Sequence, residues 1–315
     1  MTVVGDRATA EAVGEKPRWR WAWLGGALSL GLVAAGVLQL GGATSEVLKT
    51  ISQIPLLVWP VLLLLYLIQP IFDFVVFRRL WNLPPAGFKA LLRKNVINEV
   101  LLGYSGEAFL YVWARRASGA VSTPFAAIKD VNIVSALLGN LLTLVLAAIS
   151  ITQLRDLDLA RRLGPALWSG LIPMVISIGV LAFGRRVFSL RLGRLAYVGM
   201  IFGLRLVAWT ALTLLVWRMA LPNVDPGLWI VLLAIRCLVS RIPLISNKDL
   251  VFGSLILLLL GAHSSVAVLL AALAFITLVL HLTVIVGLSV ADLAQALRPI
   301  RPVVATAVDV GGAHD

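Results

Sequence analysis

Glu107 follows Gly106 and precedes the apolar run Ala108-Phe109-Leu110-Tyr111-Val112-Trp113. An ionised carboxylate inside hydrocarbon costs about 2.5–3.5 kcal/mol on insertion scales unless it is paired or hydrated. Three roles suit such a residue. It contacts an ion, a proton or a polar headgroup, with Gly103 and Gly106 freeing backbone groups at a helix break; or it pairs with Arg115 or Arg116; or it lies close to water. Asp249 is the counterpart further along, preceded by Asn247 and Lys248 and, upstream, by Pro243. At the start of a short helix, Asp249 would also complement the macrodipole. Arg236 and Arg241 stand just ahead, and their planar donor forks fit a phosphate, or a carboxylate such as Glu107 or Asp249.

Other polar residues read more plainly. Arg205 interrupts an apolar run that holds no residue able to neutralise it, so snorkelling to headgroups is expected. Asp130 and Asn132 read as caps at the start of a helix. The Gly199-Met200-Ile201-Phe202-Gly203 spacing suits close helix contact. His263 reads as interfacial and His281 as a satisfied intrahelical histidine. Two separated histidines without cysteines or paired carboxylates make no metal site, and Cys237 is alone. No phosphate-binding glycine loop, Gly-x-Ser-x-Gly elbow or His-Glu-x-x-His motif occurs. No cofactor is expected.

The elements that hold these residues must be membrane helices. Of 315 residues, 60% are hydrophobic and 13% charged, with a mean hydropathy of +0.98. Uncharged stretches run over 21–45, 50–72, 131–154, 163–184 and 250–291. Each reaches the roughly 20 residues a helix needs to cross a bilayer, and none alternates as a barrel strand would. An all-α polytopic bundle follows. The formal charge of +12 is spread in pairs beside apolar runs, at Arg18/Arg20, Arg78/Arg79, Arg93/Lys94, Arg115/Arg116 and Arg185/Arg186. That placement indicates cytoplasmic anchoring rather than nucleic-acid binding.

Six full spans are expected near 21–42, 54–77, 130–152, 164–183, 195–219 and 265–289. Trp19, Trp21 and Trp23 belong at an interface. Residues 1–18 and 293–315 read as cytoplasmic tails around a transmembrane domain over 19–292. Segments 88–116 and 228–262 are apolar arms around a polar, Gly- or Pro-marked break, as a re-entrant hairpin requires. If both re-enter, the basic residues fall on one side of the membrane and both termini lie in the cytoplasm. The layout then becomes two oppositely oriented copies of span, span, hairpin, span, over 19–154 and 163–290, the plan of many secondary transporters. Counting each arm as a crossing gives eight or more spans instead.

At the two hairpins the sequence resembles the lysylphosphatidylglycerol synthase transmembrane-domain family of flippase-like proteins. The first resemblance lies in Asn98-Glu99-Val100-Leu101-Leu102-Gly103-Tyr104-Ser105-Gly106-Glu107, followed by Arg115, Arg116 and Gly119. The second is Ile242-Pro243-Leu244-Ile245-Ser246-Asn247-Lys248-Asp249. The chain departs from the family in lacking a proline ahead of Gly106-Glu107 and an arginine within one turn after it. Its second loop is short of glycines and carries Asp249 in place of glutamate. The resemblance implies a translocator of a lipid or lipid-linked glycan in the bacterial inner membrane, without the aminoacyl-transferase domain of some relatives. Glu107, Asp249, Asn98 and Lys248 would line its polar cavity, and Arg236, Arg241 and Arg115 would hold an anionic headgroup. The other expectations are an accessory subunit of a lipid-pathway enzyme and, less well supplied with residues, a lipid-modifying enzyme. Glu107 and Asp249 would be the only acid–base pair of such an enzyme, with no nucleophile beside them.

Overall fold

The computed structural model describes residues 44–101, 104–117, 124–154, 188–242, 247–261 and 263–296, and these fold entirely as helices and their connections. In chain order they are α1 (Thr44–Gln53), α2 (Val58–Trp81), α3 (Gly87–Val100), α4 (Ser105–Ala117), α5 (Pro124–Leu154), α6 (Leu192–Ala220), α7 (Pro226–Ser240), α8 (Lys248–Leu260) and α9 (Ser265–Ala296). Four of them, α2, α5, α6 and α9, are long and apolar enough to cross a membrane. The 24 residues of α2 alone extend about 36 Å, more than a hydrocarbon core of about 30 Å. The expected spans near 21–42 and 164–183, and the tail 1–18, lie outside the described residues.

The arms of the two broken segments are shorter. With 13–15 residues each, α3, α4, α7 and α8 extend about 20–22 Å, short of a hydrocarbon core of about 30 Å. Their boundaries follow local chemistry. Asp225 accepts the Leu228 amide at 3.1 Å and Pro226 takes the first helical position of α7, the combination that starts a helix at least cost. Asn82, in a left-handed conformation, ends α2. Left-handed backbone also precedes each returning arm, at Tyr104 (φ 72°) before α4 and Asn247 (φ 50°) before α8. Asparagine tolerates that region; for a bulky residue such as tyrosine it is a strained outlier.

The helices pack crosswise. The outgoing arm α3 lies against α9 and the outgoing arm α7 against α5, while α2 packs on α6 and α8 on α9. Two apolar clusters close the bundle at its ends. One gathers Val58, Leu62, Leu146, Val216 and Trp217 around the fully buried face of α7. The other gathers Val76, Phe77, Ile128, Val131, Val198 and Phe202 with Leu91 of α3 and Leu110 of α4. Each long helix among α2, α5 and α6 thus contributes one end to each cluster.

Several sequence expectations need correction. Helix α1, a short amphipathic element seated on α9 through Val47, Val268 and Ala271, falls between two expected spans. Helix α5 begins at Pro124, so Asp130 lies in its second turn and caps nothing there. Its fully buried Oδ2 instead accepts the amides of Ser189 and Leu190 at 2.7 and 2.6 Å, tethering the approach to α6. Helix α9 continues to Ala296, past the expected start of the C-terminal tail.

Candidate functional site

A cavity of about 370 Å³ lies between the two apolar clusters. The long helices line it with residues that include mid-helix ones: Gln69 in α2, Gly139 in α5, Arg205 and Leu206 in α6, and Leu280 and His281 in α9. Both broken segments open into it at their breaks, through Asn98, Glu99, Tyr104 and Glu107 on one side and Ser240, Arg241, Lys248 and Asp249 on the other. A ring of apolar spans is therefore polar at its middle. Pro70 contributes to this in α2, where its missing amide leaves the Tyr66 carbonyl without its ladder partner one turn before Asp73.

Six of the seven residues picked from sequence meet here: Glu107, Asp249, Arg236, Arg241, Asn98 and Lys248. Arg115 does not. It is exposed on the last turn of α4, stacked over Tyr111 at 5.9 Å. Eight residues along a helix separate it from Glu107 by about 12 Å of axial rise, so neither the salt bridge nor the shared site is formed. Glu107 is held from α3 instead. Asn98 Nδ2 donates to Glu107 Oε1 at 3.0 Å, and Lys94 Nζ stands 3.7 Å from the same oxygen. Asn98 Oδ1 accepts the Gly106 amide at 2.7 Å, and a Cβ on Gly106 would overlap the Lys94 carbonyl oxygen. Gly106 is what lets the two arms come together.

The second break is closed differently. Arg236 grips Asp249 with two bonds, Nε to Oδ1 and Nη2 to Oδ2, both 2.9 Å, and its guanidinium faces the Trp209 ring at 4.9 Å. Lys248 Nζ donates to the Ser240 carbonyl at 2.9 Å. The breaks also touch one another. The Asn247 amide donates to the Glu99 carbonyl at 2.7 Å, and the Glu99 carboxylate accepts the Lys248 amide. Glu99 thereby satisfies amide groups at the start of α8 that a helix N-terminus leaves unpaired.

Residues not singled out from sequence complete the charge balance. Asp73, only 3% exposed, takes Lys94 at 2.6 Å and Arg205 at 3.2 Å. Arg205 does not snorkel: it is buried, donates to Ser135 Oγ at 2.8 Å and lies 4.0 Å from the Phe202 ring centre. Lys94 is likewise no cytoplasmic anchor but a buried cation of α3. His281 is satisfied by a neighbouring helix rather than its own, with Tyr66 Oη 3.1 Å from Nδ1. Arg241 and Lys248, the latter bonded only to the Ser240 carbonyl, differ from the other cations in the cavity in forming no ion pair among the described residues. The bonds of Arg241 go to Ser240 Oγ and Asn140 Oδ1, both neutral. Gly139 makes room for its guanidinium, since a Cβ there would come within 2.6 Å of Nη1. A planar cation with no anionic partner, in a chamber of this size, has the chemistry to receive an anionic group.

Among the described residues no cluster of histidine, cysteine and carboxylates suited to a metal ion occurs. In comparisons with protein-family models, curated proteins and solved structures, the chain matches none.

Proposed function

We propose that the chain is a translocator of an amphiphile with an anionic headgroup, a lipid or lipid-linked glycan, in a bacterial inner membrane. In this reading the segments spanning α3–α4 and α7–α8 are re-entrant hairpins within six full spans, and the two halves form an inverted repeat. The arm lengths of about 20–22 Å favour re-entry over crossing. The reciprocal packing of each outgoing arm on the last span of the other half, α3 on α9 and α7 on α5, is what a two-fold relation would produce. The family resemblance at both breaks points the same way.

The observation that carries the function is Arg241, a cation without a carboxylate partner among the described residues, facing a chamber at mid-helix depth. Leaving such a charge uncompensated in hydrocarbon costs about 2.5–3.5 kcal/mol, which an incoming phosphate offsets. The headgroup occupies the chamber while the acyl chains stay in lipid, and Glu107 and Asp249 flank it. Hydrolysis of a nucleotide has no part in this, and neither does bond-making chemistry.

Reconstitution into liposomes carrying a fluorescent anionic phospholipid tests the reading. Wild type is expected to move the lipid between leaflets well above protein-free liposomes. Arg241→Ala should slow it by roughly tenfold or more, the loss of about 1.4 kcal/mol or more that a charge-assisted contact supplies. Equal rates for wild type and Arg241→Ala, or no activity above protein-free liposomes, would overturn it.

A further inference from the structure

The charges of the chamber sort into balanced groups and a remainder. Asp73 and Glu107 face Lys94 and Arg205, and Asp249 is bonded through both oxygens to Arg236. Three charged groups of the lining are left without an ion pair among the described residues: Arg241, Lys248 and Glu99. Glu99 accepts the Lys248 backbone amide, while the Lys248 ammonium turns to the Ser240 carbonyl at 2.9 Å. Two cations and one carboxylate remain, a surplus of one positive charge. The whole lining agrees, with the cations Lys94, Arg205, Arg236, Arg241 and Lys248 against four carboxylates, histidine being counted as neutral.

Ser240 gathers the two unpaired cations. Arg241 Nε and Nη2 donate to its Oγ at 3.2 and 3.1 Å, and Lys248 Nζ donates to its carbonyl. Arg241 Nη1 reaches Asn140 Oδ1 at 3.3 Å, in space that Gly139 leaves open. All these acceptors are neutral, so they position the cations without neutralising them. A guanidinium has five donor protons and an ammonium three. The bonds use three protons of Arg241 and one of Lys248, so two remain on each among the described residues. A phosphodiester presents two non-bridging oxygens, each able to accept two such bonds. Donors and acceptors match.

We propose that Arg241 and Lys248 together form a two-point anion site for a singly charged phosphodiester headgroup; that this ligand is cargo rests on the transport reading above. A monoanion brings the chamber to neutrality. A phosphate monoester or a diphosphate, with two charges, would leave it one negative charge in excess. The cost of taking an ion out of water grows with the square of its charge, whereas its attraction to the chamber grows only in proportion. Glu99 sets this selectivity, because its carboxylate holds the surplus at one rather than two. Lys248 is thereby a headgroup contact, whereas Arg236 has its fork occupied by Asp249.

Calorimetric titration of the purified full-length protein in detergent tests the site at about pH 8, above the second ionisation of a phosphate monoester at about 6. Dihexanoyl phosphatidylglycerol should bind, dihexanoyl phosphatidic acid roughly tenfold more weakly, and dihexanoyl glycerol not at all. Arg241→Ala and Lys248→Gln should each weaken phosphatidylglycerol binding roughly tenfold, the loss of one charge-assisted contact. Lys248→Gln keeps a donor for the Ser240 carbonyl. Glu99→Gln keeps an acceptor for the Lys248 amide and raises the surplus to two charges. It should shift selectivity toward phosphatidic acid by roughly tenfold, a change that a purely structural role would not produce. Tighter or equal binding of phosphatidic acid by wild type, or unaltered selectivity in Glu99→Gln, would overturn the charge class. Full affinity in Lys248→Gln would overturn the two-point site. Dimethyl phosphate, a diester without acyl chains, should bind far more weakly; equal affinity would assign the site to a soluble ligand and overturn the amphiphile. Binding and selectivity as stated, with no lipid movement in liposomes, would overturn the transport reading alone, so the failures are distinguishable.

Discussion

The two broken segments share a plan and differ in how it is finished. Each has an outgoing arm, a left-handed residue, and a returning arm whose first turn carries a carboxylate, Glu107 or Asp249. In the second segment the carboxylate is locked by an arginine of the same segment, with two bonds of 2.9 Å. In the first, the lysine that should lock it is drawn away to Asp73 on another helix. One carboxylate is therefore paired within its own segment, and the other depends on a cation shared with another helix. A carboxylate with a rigid bidentate partner is fixed in place; one with a shared and distant partner is held less firmly.

The largest test of this contrast is Asp73→Asn. It leaves two buried cations, Lys94 and Arg205, with one acceptor removed, and breaking a buried pair costs about 3–5 kcal/mol. The apparent melting temperature in detergent should fall more than for any single change in the second segment; a fall equal to or smaller than that of Asp249→Asn would break the comparison. Asp249→Asn itself should cost less, about 1.5–3 kcal/mol for a charge-assisted bond, because Asp249 is partly exposed. Combining it with Arg236→Met should restore part of the loss, since Arg236 also reaches Thr213 Oγ1 at 3.5 Å and faces the Trp209 ring; no recovery would show that these contacts outweigh its pairing with Asp249. The smallest effects sharpen the contrast at the turns. Tyr104→Gly relieves a left-handed tyrosine whose side chain is exposed and should gain about 0.5–1 kcal/mol. Asn247→Gly should gain less, since asparagine already tolerates that backbone. The reverse order would show that strain is stored at the second break instead.

Much of this was legible in the sequence because composition and charge spacing act locally. The arms at 88–116 and 228–262 fall within two residues of the observed helices, since Gly103, Gly106, Pro243 and Asp249 mark breaks wherever they sit in an apolar run. What escaped was pairing at a distance. Arg205 looked solitary because its carboxylate lies 132 residues away in another helix. Asp73 carried a readable signal, a carboxylate in the middle of the apolar run Pro70-Ile71-Phe72-Asp73-Phe74-Val75-Val76-Phe77, but a single charge in a span looks like a span end when Arg78 and Arg79 follow. Lys94 was misplaced for the same reason: its neighbour Arg93 does face outward, bonded to Asp292 at 2.8 Å, and one residue of helical rotation separates surface from interior. Arg115 failed the other way, close in sequence to the break and far from it in space.

Cys237 sits in the chamber wall, one residue after Arg236 and four before Arg241, and is the sole thiol in the chain. The unaltered protein is thus already a single-cysteine reporter, with its thiol buried in the structure. Any water-soluble thiol reagent that modifies it has entered the interior, and the side from which it arrives tells from which side the chamber is reached.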